Sequence, residues 1–469
     1  MPLPHAFPTP PQPGRLLPGG SAAFALAART TRRLGFMAWA AGCALTAQAQ
    51  SLVELHQTAK RYDAAYLAAQ AQYQASLAKA EQARAGLLPS ASLSAAANFS
   101  ELDSSVDSQD KNYNNQTLQL SASQPLYRPV NRLAHEQARQ SLEAARAQLE
   151  AADQELVLRC AQAYFDVLAA QDSLAFVRAQ KAAVSEQLAS ARRNFEVGTA
   201  TITDTREAQA RFDQTVAQEI AAGNELRVKR LALDQLVGQT GVSPWRLASG
   251  VTLPGIEPAD LGRWLERAET AHPLVRQAGI GLEVARLETA KAQAGHLPTL
   301  DAVASYQSAR LPTSSSSLPP YLHNKTASIG VQFNLPLFAG FATQNRIRET
   351  LALEDKARND LEAARRGVAQ ATRSAYYGVV SGQGQVKALE AAEASSQSAL
   401  EATQLGYQVG VRINLDVLNA QSQLFQTKAS LAKARYELLL GGLRLRQAGG
   451  VLQEQDLQAV NGLLQGKSD

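Results

Sequence analysis

Cysteine is almost missing from this chain, with two in 469 residues. Cys43 falls in an apolar stretch near the start and Cys160 sits alone in a helical pattern, so the mature chain can build neither an internal disulfide nor a thiolate metal site. The histidines beyond residue 50, His56, His135, His272, His296 and His323, are scattered and lack metal-ligand spacing such as H-E-x-x-H. There is no phosphate-binding glycine loop and no nucleophile elbow. The glycine-rich "GGLRLRQAGG" at Gly441 reads as a helix cap and exit, and "AYF" and "AYY", starting at Ala163 and Ala375, as seam-packing aromatics. With no convergent polar set, the chain is expected to be no enzyme and to need no cofactor or metal. Long apolar runs are also missing after residue 50, which excludes a transmembrane helix there. Any residence in a membrane must then take the form of a β-barrel.

Aromatic residues make up only 6% of the chain, and residues 131–196 contain neither proline nor glycine. What remains is rich in alanine and glutamine, the composition of long helices with narrow, small-residue seams.

The first 49 residues have another character. Arg29, Arg32 and Arg33 precede "LGFMAWAAGCALTA" and then "AQAQ", in which Ala47 and Ala49 match a signal-peptidase site. Residues 1–49 are read as a secretory signal with an N-terminal extension. "TRRLGF" also fits a twin-arginine signal, and "WAAGC" a lipoprotein box that would lipidate Cys43. Ala40 is a weak opening residue for such a box, and the Ala-x-Ala site downstream is better formed. Four of the 46 basic residues and none of the 42 acidic ones lie in this segment. The mature chain is therefore neutral and offers no support for a nucleic-acid partner.

The rest of the chain is a tandem duplication. "AGLLPSASL" at Ala85 is repeated as "AGHLPTLDA" at Ala294, "AYFDVL" at Ala163 as "AYYGVV" at Ala375, and "EAQARF" at Glu207 as "NAQSQL" at Asn419. The offset is about 210 residues throughout, the mark of a repeated structural unit. The first unit covers 50–237, with a leading helix over 60–87, strands near 90–100 and 116–127, a long helix over 131–196 and a return helix over 202–237. The second covers 263–447, with strands near 299–308 and 327–337, a long helix over 343–408 and a return helix over 414–447. A linker, 238–262, and a C-terminal segment, 448–469, complete the chain. Each long helix would run roughly 100 Å. The leading and return helices together match that length, which predicts two short helices stacked end to end beside each long one. The Pro residues of Leu88-Pro89, Gln124-Pro125, Leu297-Pro298 and Leu335-Pro336 are expected where helix and strand exchange.

The strands alternate. Ala91, Leu93, Ala95, Ala97 and Phe99 fall on one face of the first, opposite Ser90, Ser92, Ser94, Asn98 and Ser100. Ile329, Val331, Phe333 and Leu335 do the same in the last. About ten such residues suffice for a tilted strand to cross a bilayer. A soluble sheet with one wet face would also alternate, but the polar loops "ELDSSVDSQDKNYNN" and "SARLPTSSSSLPPYLHNK" favour an outer-membrane barrel. Four strands cannot close one, so several chains must share the wall.

With the signal, duplication, strand pairs, long helices and the paired turns "EVGTATITD" and "QVGVRINLD" in place, the chain resembles the TolC family of outer-membrane efflux and secretion ducts from about residue 52 to 460. Within it, the likeness is to exit ducts of type I secretion, such as that for an RTX-type cyclolysin. The resemblance implies a mainly α fold with β: a homotrimer whose twelve-stranded barrel spans the outer membrane of a Gram-negative bacterium, in contact with outer-membrane lipid, and continues as a helical barrel in the periplasm. It places 238–262 and 448–469 in an equatorial belt. It implies a periplasmic adaptor and an inner-membrane ABC exporter as partners, or a proton-driven efflux pump if the cargo is a drug or other small molecule. Val197, Gly198, Thr199, Val409, Gly410 and Val411 would form hairpin tips that meet the adaptor. Thr203, Asp204, Tyr407 and Arg412 would tie neighbouring coiled coils together in a closed state. Asp416 matches the first of two carboxylates that ring the pore constriction, and the second position holds Asn419, leaving three carboxylates per trimer instead of six.

Simpler roles exist for the same residues. Asp204 and Asp416 occupy first turns of helices, where the dipole favours an acid, and Arg412 and Asp416, four apart, can pair with each other. A soluble periplasmic coiled-coil adaptor would share the helical hairpins but would not need two strand pairs of membrane length.

Overall fold

The computed structural model describes residues 49–102, 111–248, 250–312 and 321–465. The expected signal segment, with Cys43, lies outside the described residues, as do the middles of both polar loops. In the first repeat, β1 (Ala49–Gln50), α1 (Leu52–Tyr62) and α2 (Ala64–Ala85) lead into the hairpin β2 (Ser90–Leu102) and β3 (Lys111–Tyr127), then α3 (Pro129–Glu196) and α4 (Ile202–Val237). Short strands β4 (Ser243–Pro244) and β5 (Arg246–Leu247) follow. The second repeat runs α5 (Leu261–Ala271), α6 (Pro273–Gln293), β6 (Thr299–Pro312), β7 (Tyr321–Asn334), α7 (Ala342–Gln408) and α8 (Asn414–Ala448), and the chain finishes with α9 (Glu454–Asn461) and β8 (Leu464–Gln465).

The long helices α3 and α7 have 68 and 67 residues, and each is flanked along its length by shorter ones. α3 packs against α2 and α6 toward the sheet and against α4 and α8 beyond, while α7 packs against α6 and α5 and then α8. The helices that cover α3 from one side abut end to end. Gly238, the left-handed C-cap of α4 at φ 69°, lies so close to Tyr62 at the end of α1 that an added Cβ would fall 2.5 Å from the ring. Gly450, just past α8 at φ 70°, meets the backbone of His272 between α5 and α6 at the same 2.5 Å. Only glycine permits both the left-handed backbone and this approach.

The leading helix, expected to be continuous over 60–87, is broken at Asp63. That residue is extended, accepts a 2.8 Å bond from the Tyr66 amide and holds the Arg159 guanidinium at 3.0 and 2.9 Å. The Arg159 pair keeps its carboxyl below the usual range. In the second repeat His272 breaks the helix at the corresponding place, its Nδ1 accepting from the Leu274 amide at 3.2 Å, with Pro273 opening α6. A capping side chain in extended backbone lets the helix restart in a new direction.

The two hairpins form one antiparallel sheet, β2-β3-β6-β7. Its strands are longer at the loop end than the sequence implies. β3 begins at Lys111, not 116, and β7 spans Tyr321–Asn334, not 327–337. The polar "NYNNQ" and "YLHNK" read as loop by composition, yet pairing with β2 and β6 satisfies their backbone groups. β7 stops short of Pro336, which cannot donate to a ladder. Pro125 lies inside β3, not at a helix boundary, and the register shifts between Pro125 and Tyr127 to accommodate it. One row across all four strands is Ser92, Ser121, Ser305, Ser328, with hydroxyls 2.7 Å apart in the first pair and 2.8 Å in the last. The next row, on the opposite face, is Leu93, Leu120, Tyr306, Ala327. Where sheet meets helices, Arg128 grips Asp301 through two bonds of 2.7 and 2.6 Å, tying the first repeat to the second.

The largest core lies where the short helices abut. Tyr164 and Phe165 of α3 are fully buried among Leu52, Leu55, Leu233 and Leu457. Tyr164 donates to the Trp245 carbonyl at 3.0 Å, and Tyr436 to Asp172 at 2.6 Å. Strand pairs β1-β4 and β5-β8 bring the first and last described segments to the same level. The seam role foreseen for the repeated aromatics holds for Tyr164 and Phe165 but not for Tyr377, which is exposed.

Two outcomes follow from these contacts. Gly450→Ala forces a Cβ into the His272 backbone and strains a left-handed position, so thermal unfolding should show a loss of about 1–3 kcal/mol. His56 of α1 is fully buried, and neither ring nitrogen has a partner among the described residues. Burial lowers its pKa, against the opposing pull of Asp153 and Glu454 and with the help of Lys60. The unfolded imidazole takes its proton near pH 6.5 while the buried one resists, so stability falls as pH drops below about 6.5. The melting temperature of His56→Leu should therefore fall less between pH 7.5 and 5.5 than that of the wild type.

Candidate functional site at the helical tips

At the ends of α3 and α7 farthest from the sheet the chain reverses twice in the same way. Gly198 and Gly410 are left-handed, at φ 79° and 76°. The amides of Val197 and Val409 bond the carbonyls of Arg193 and Leu405, each at 3.1 Å. Those of Thr199 and Val411 bond Asn194 and Gly406, each at 2.8 Å, and those of Ala200 and Arg412 return to the same two carbonyls, each at 3.1 Å. Glycine-terminated closure of this kind uses carbonyls that the helix leaves over.

The side chains on these matching backbones differ. The first turn places Asn194 beside Ala200, and the second places Gly406 beside Arg412, so large and small residues are exchanged. A Cβ on Gly406 would lie 2.8 Å from the Arg412 Cγ. Helix starts differ as well. Thr201 caps α4 in a capping box, its hydroxyl accepting from the Asp204 amide at 3.2 Å while the Asp204 carboxylate accepts from the Thr201 amide at 2.9 Å. The same place before α8 is Ile413, which cannot cap. Asp416, the counterpart of Asp204, instead stands 3.7 Å from Arg412.

Tyr407 accepts a 3.2 Å bond from the Asn194 amide nitrogen, and Asn419 accepts a 3.0 Å bond from Arg211, so both link one hairpin to the other. Thr203 is exposed. Among the described residues, no hydrogen bond or ion pair joins Thr203 or Asp204 to Tyr407 or Arg412. Within one chain the four are not a connected set. Val197, Val409 and Val411 are 72%, 66% and 78% exposed, an apolar presentation that soluble surfaces usually avoid.

Sequence reasoning missed Asn414. It is 2% exposed, accepts from Gln187 of α3 and reaches the Asp204 carbonyl at 3.5 Å. An asparagine opening a helix where the first repeat has Ile202 was the available signal. Cys160 is buried too, and desolvation pushes its thiol up to about 12, which leaves it unreactive.

An antiparallel sheet with one polar and one apolar face, carried on paired helices of about 100 Å, defines an outer-membrane channel subunit. The family described as "Outer membrane efflux protein" matches residues 55–239 and 264–451, and the chain belongs to that family. It is 34% identical to outer membrane protein TolC of Vibrio cholerae over 418 residues, covering 88% of this chain and 93% of that protein. The alkaline protease secretion protein AprF of Pseudomonas aeruginosa is 32% identical over 358 residues, 75% of this chain and 73% of its own length. Among solved structures, the outer membrane protein VceC of Vibrio cholerae shares the fold at a TM-score of 0.73 and 21% identity, covering 85% of this chain and 96% of that one. The protein is thus an outer-membrane channel and not an enzyme.

Ile413→Thr supplies the missing cap and draws Asp416 into a capping box. That is worth about 1 kcal/mol, so amide hydrogen exchange in the first turn of α8 should slow about fivefold.

Proposed function

We propose that three copies of this chain close a twelve-stranded barrel and a helical barrel, forming the exit duct of a tripartite machine for type I protein secretion. The observation that carries the reading is the open sheet: β2 and β7 each pair on one side only, and hydrocarbon tolerates no unpaired strand edge. Neighbouring copies supply the missing partners. The exposed valines of the tips are where a periplasmic adaptor docks. An inner-membrane ABC exporter supplies the energy and selects the cargo. Protein cargo is favoured because a relative named for protease secretion aligns over most of the chain.

The gate lies at the second hairpin. Asp416, left uncapped by Ile413, faces the constriction, and Asn419 in place of a second acid weakens the negative field there. Arg412 exchanges its exposed partner Asp416 for Thr203 and Asp204 of the adjacent hairpin when the duct closes. A surface pair such as Arg412 with Asp416 contributes under about 1 kcal/mol, so exchange costs little.

Arg412→Ser should raise single-channel conductance in a planar bilayer several-fold; unchanged conductance would mean that Arg412 serves its own helix alone. In-cell crosslinking of a tagged copy should recover an ABC exporter with its adaptor. Recovery of a proton-driven exporter would replace protein cargo by small molecules.

A further inference from the structure

All helices leave the sheet at the end where β2 and β6 begin and β3 and β7 finish, so the opposite, loop-bearing end faces outward. The apolar face of β7 runs from Phe333 through Val331 and Ile329, which are 63%, 64% and 89% exposed, to Ala327. The next residues on that face are Lys325 and His323. The nine residues from Phe333 to Lys325 are about the nine to eleven that a tilted strand needs to cross the hydrocarbon. Lys325 and His323 therefore stand at the outward rim of the apolar band.

Arg310 joins them. It pairs in register with His323, and Lys325 lies opposite Ser308, one row inward on the same face. The Arg310 guanidinium stacks 4.1 Å from the centre of the Tyr321 ring, an amphipathic contact suited to a membrane interface. Among the described residues, no carboxylate pairs with Arg310, His323 or Lys325, and the sequence of residues 313–320 contains no acid. The same two rows in the first repeat hold Ala97 with Gln116 and Ala95 with Leu118. Within these two rows the charge is therefore confined to the second hairpin. Two cations unpaired within the chain, with the His323 ring beside them on a lipid-facing surface at the depth of the headgroups, call for an anion supplied by the membrane.

We propose that Arg310, His323 and Lys325 form a binding site for the phosphate groups of a phosphorylated glycolipid in the outer leaflet, one site per chain. Arg310, held by Tyr321, offers a planar fork of donors to phosphate oxygens. Lys325, deeper on the face, extends outward to a second phosphate on the same headgroup.

The test uses the full-length protein in detergent, loaded with bisphosphorylated lipid A and washed, with retained lipid counted by native mass spectrometry. Wild type should keep the lipid. Arg310→Gln/Lys325→Gln should keep at least about tenfold less, on the scale of surface cations near anionic lipid, with circular dichroism and conductance unchanged. Arg310→Lys/Lys325→Arg should restore most of the retention. Dephosphorylated lipid A should bind wild type and the glutamine variant equally, and millimolar inorganic pyrophosphate should not displace the bound lipid. Equal retention by wild type and the glutamine variant would overturn the proposal, and displacement by pyrophosphate would overturn the choice of a lipid over a free phosphate. If the double variant does not fold, Lys325→Gln alone should lower retention about fivefold, and no loss would again overturn the site.

Discussion

A helix of about 100 Å has little stability beyond what is packed along it, and this constraint organises the molecule. No single return helix is long enough to cover α3 or α7, so each needs two companions meeting end to end. The joints put helix ends, with their leftover polar groups, in the middle of the structure. Those groups are answered locally, by Asp63 and Arg159 in one repeat and by His272 and Pro273 in the other. The joints also need close approach, which Gly238 and Gly450 permit. The largest core and both small strand pairs gather at that level.

Duplication produced two tips with the same backbone, and divergence then separated their side-chain contacts. In the capping box the Asp204 carboxylate accepts from the Thr201 amide of its own helix. Ile413 leaves Asp416 without that duty, so it is available to Arg412. Exchange of size between Asn194 with Ala200 and Gly406 with Arg412 lets the same turn carry a long cation in one repeat and a bridging amide in the other.

The sheet follows a different rule. Alternation gives each strand one face for lipid and one for the lumen, so register alone sorts the serine row from the row of Leu93, Leu120 and Tyr306. Pro125, which would break a central ladder, is absorbed at a register shift beside the ion pair of Arg128 and Asp301. Those two features mark the plane where barrel geometry gives way to helix geometry.

Much of this was legible in the sequence, because it depends on periodicity and on backbone-limited residues. The duplication, the long helices expected over 131–196 and 343–408 and found at Pro129–Glu196 and Ala342–Gln408, the return helices and the glycine turns follow from spacing, from missing proline and from Gly198 and Gly410. Strand ends are not legible in composition, because polar residues pair as readily as apolar ones. The break at Asp63 was hidden because its cause, Arg159, lies about a hundred residues away. Tertiary structure alone decided which acids are occupied and which are free, what buries Asn414, and that Arg310, His323 and Lys325 share one face. Such pairings depend on how distant segments lie against one another, and local pattern carries no record of that.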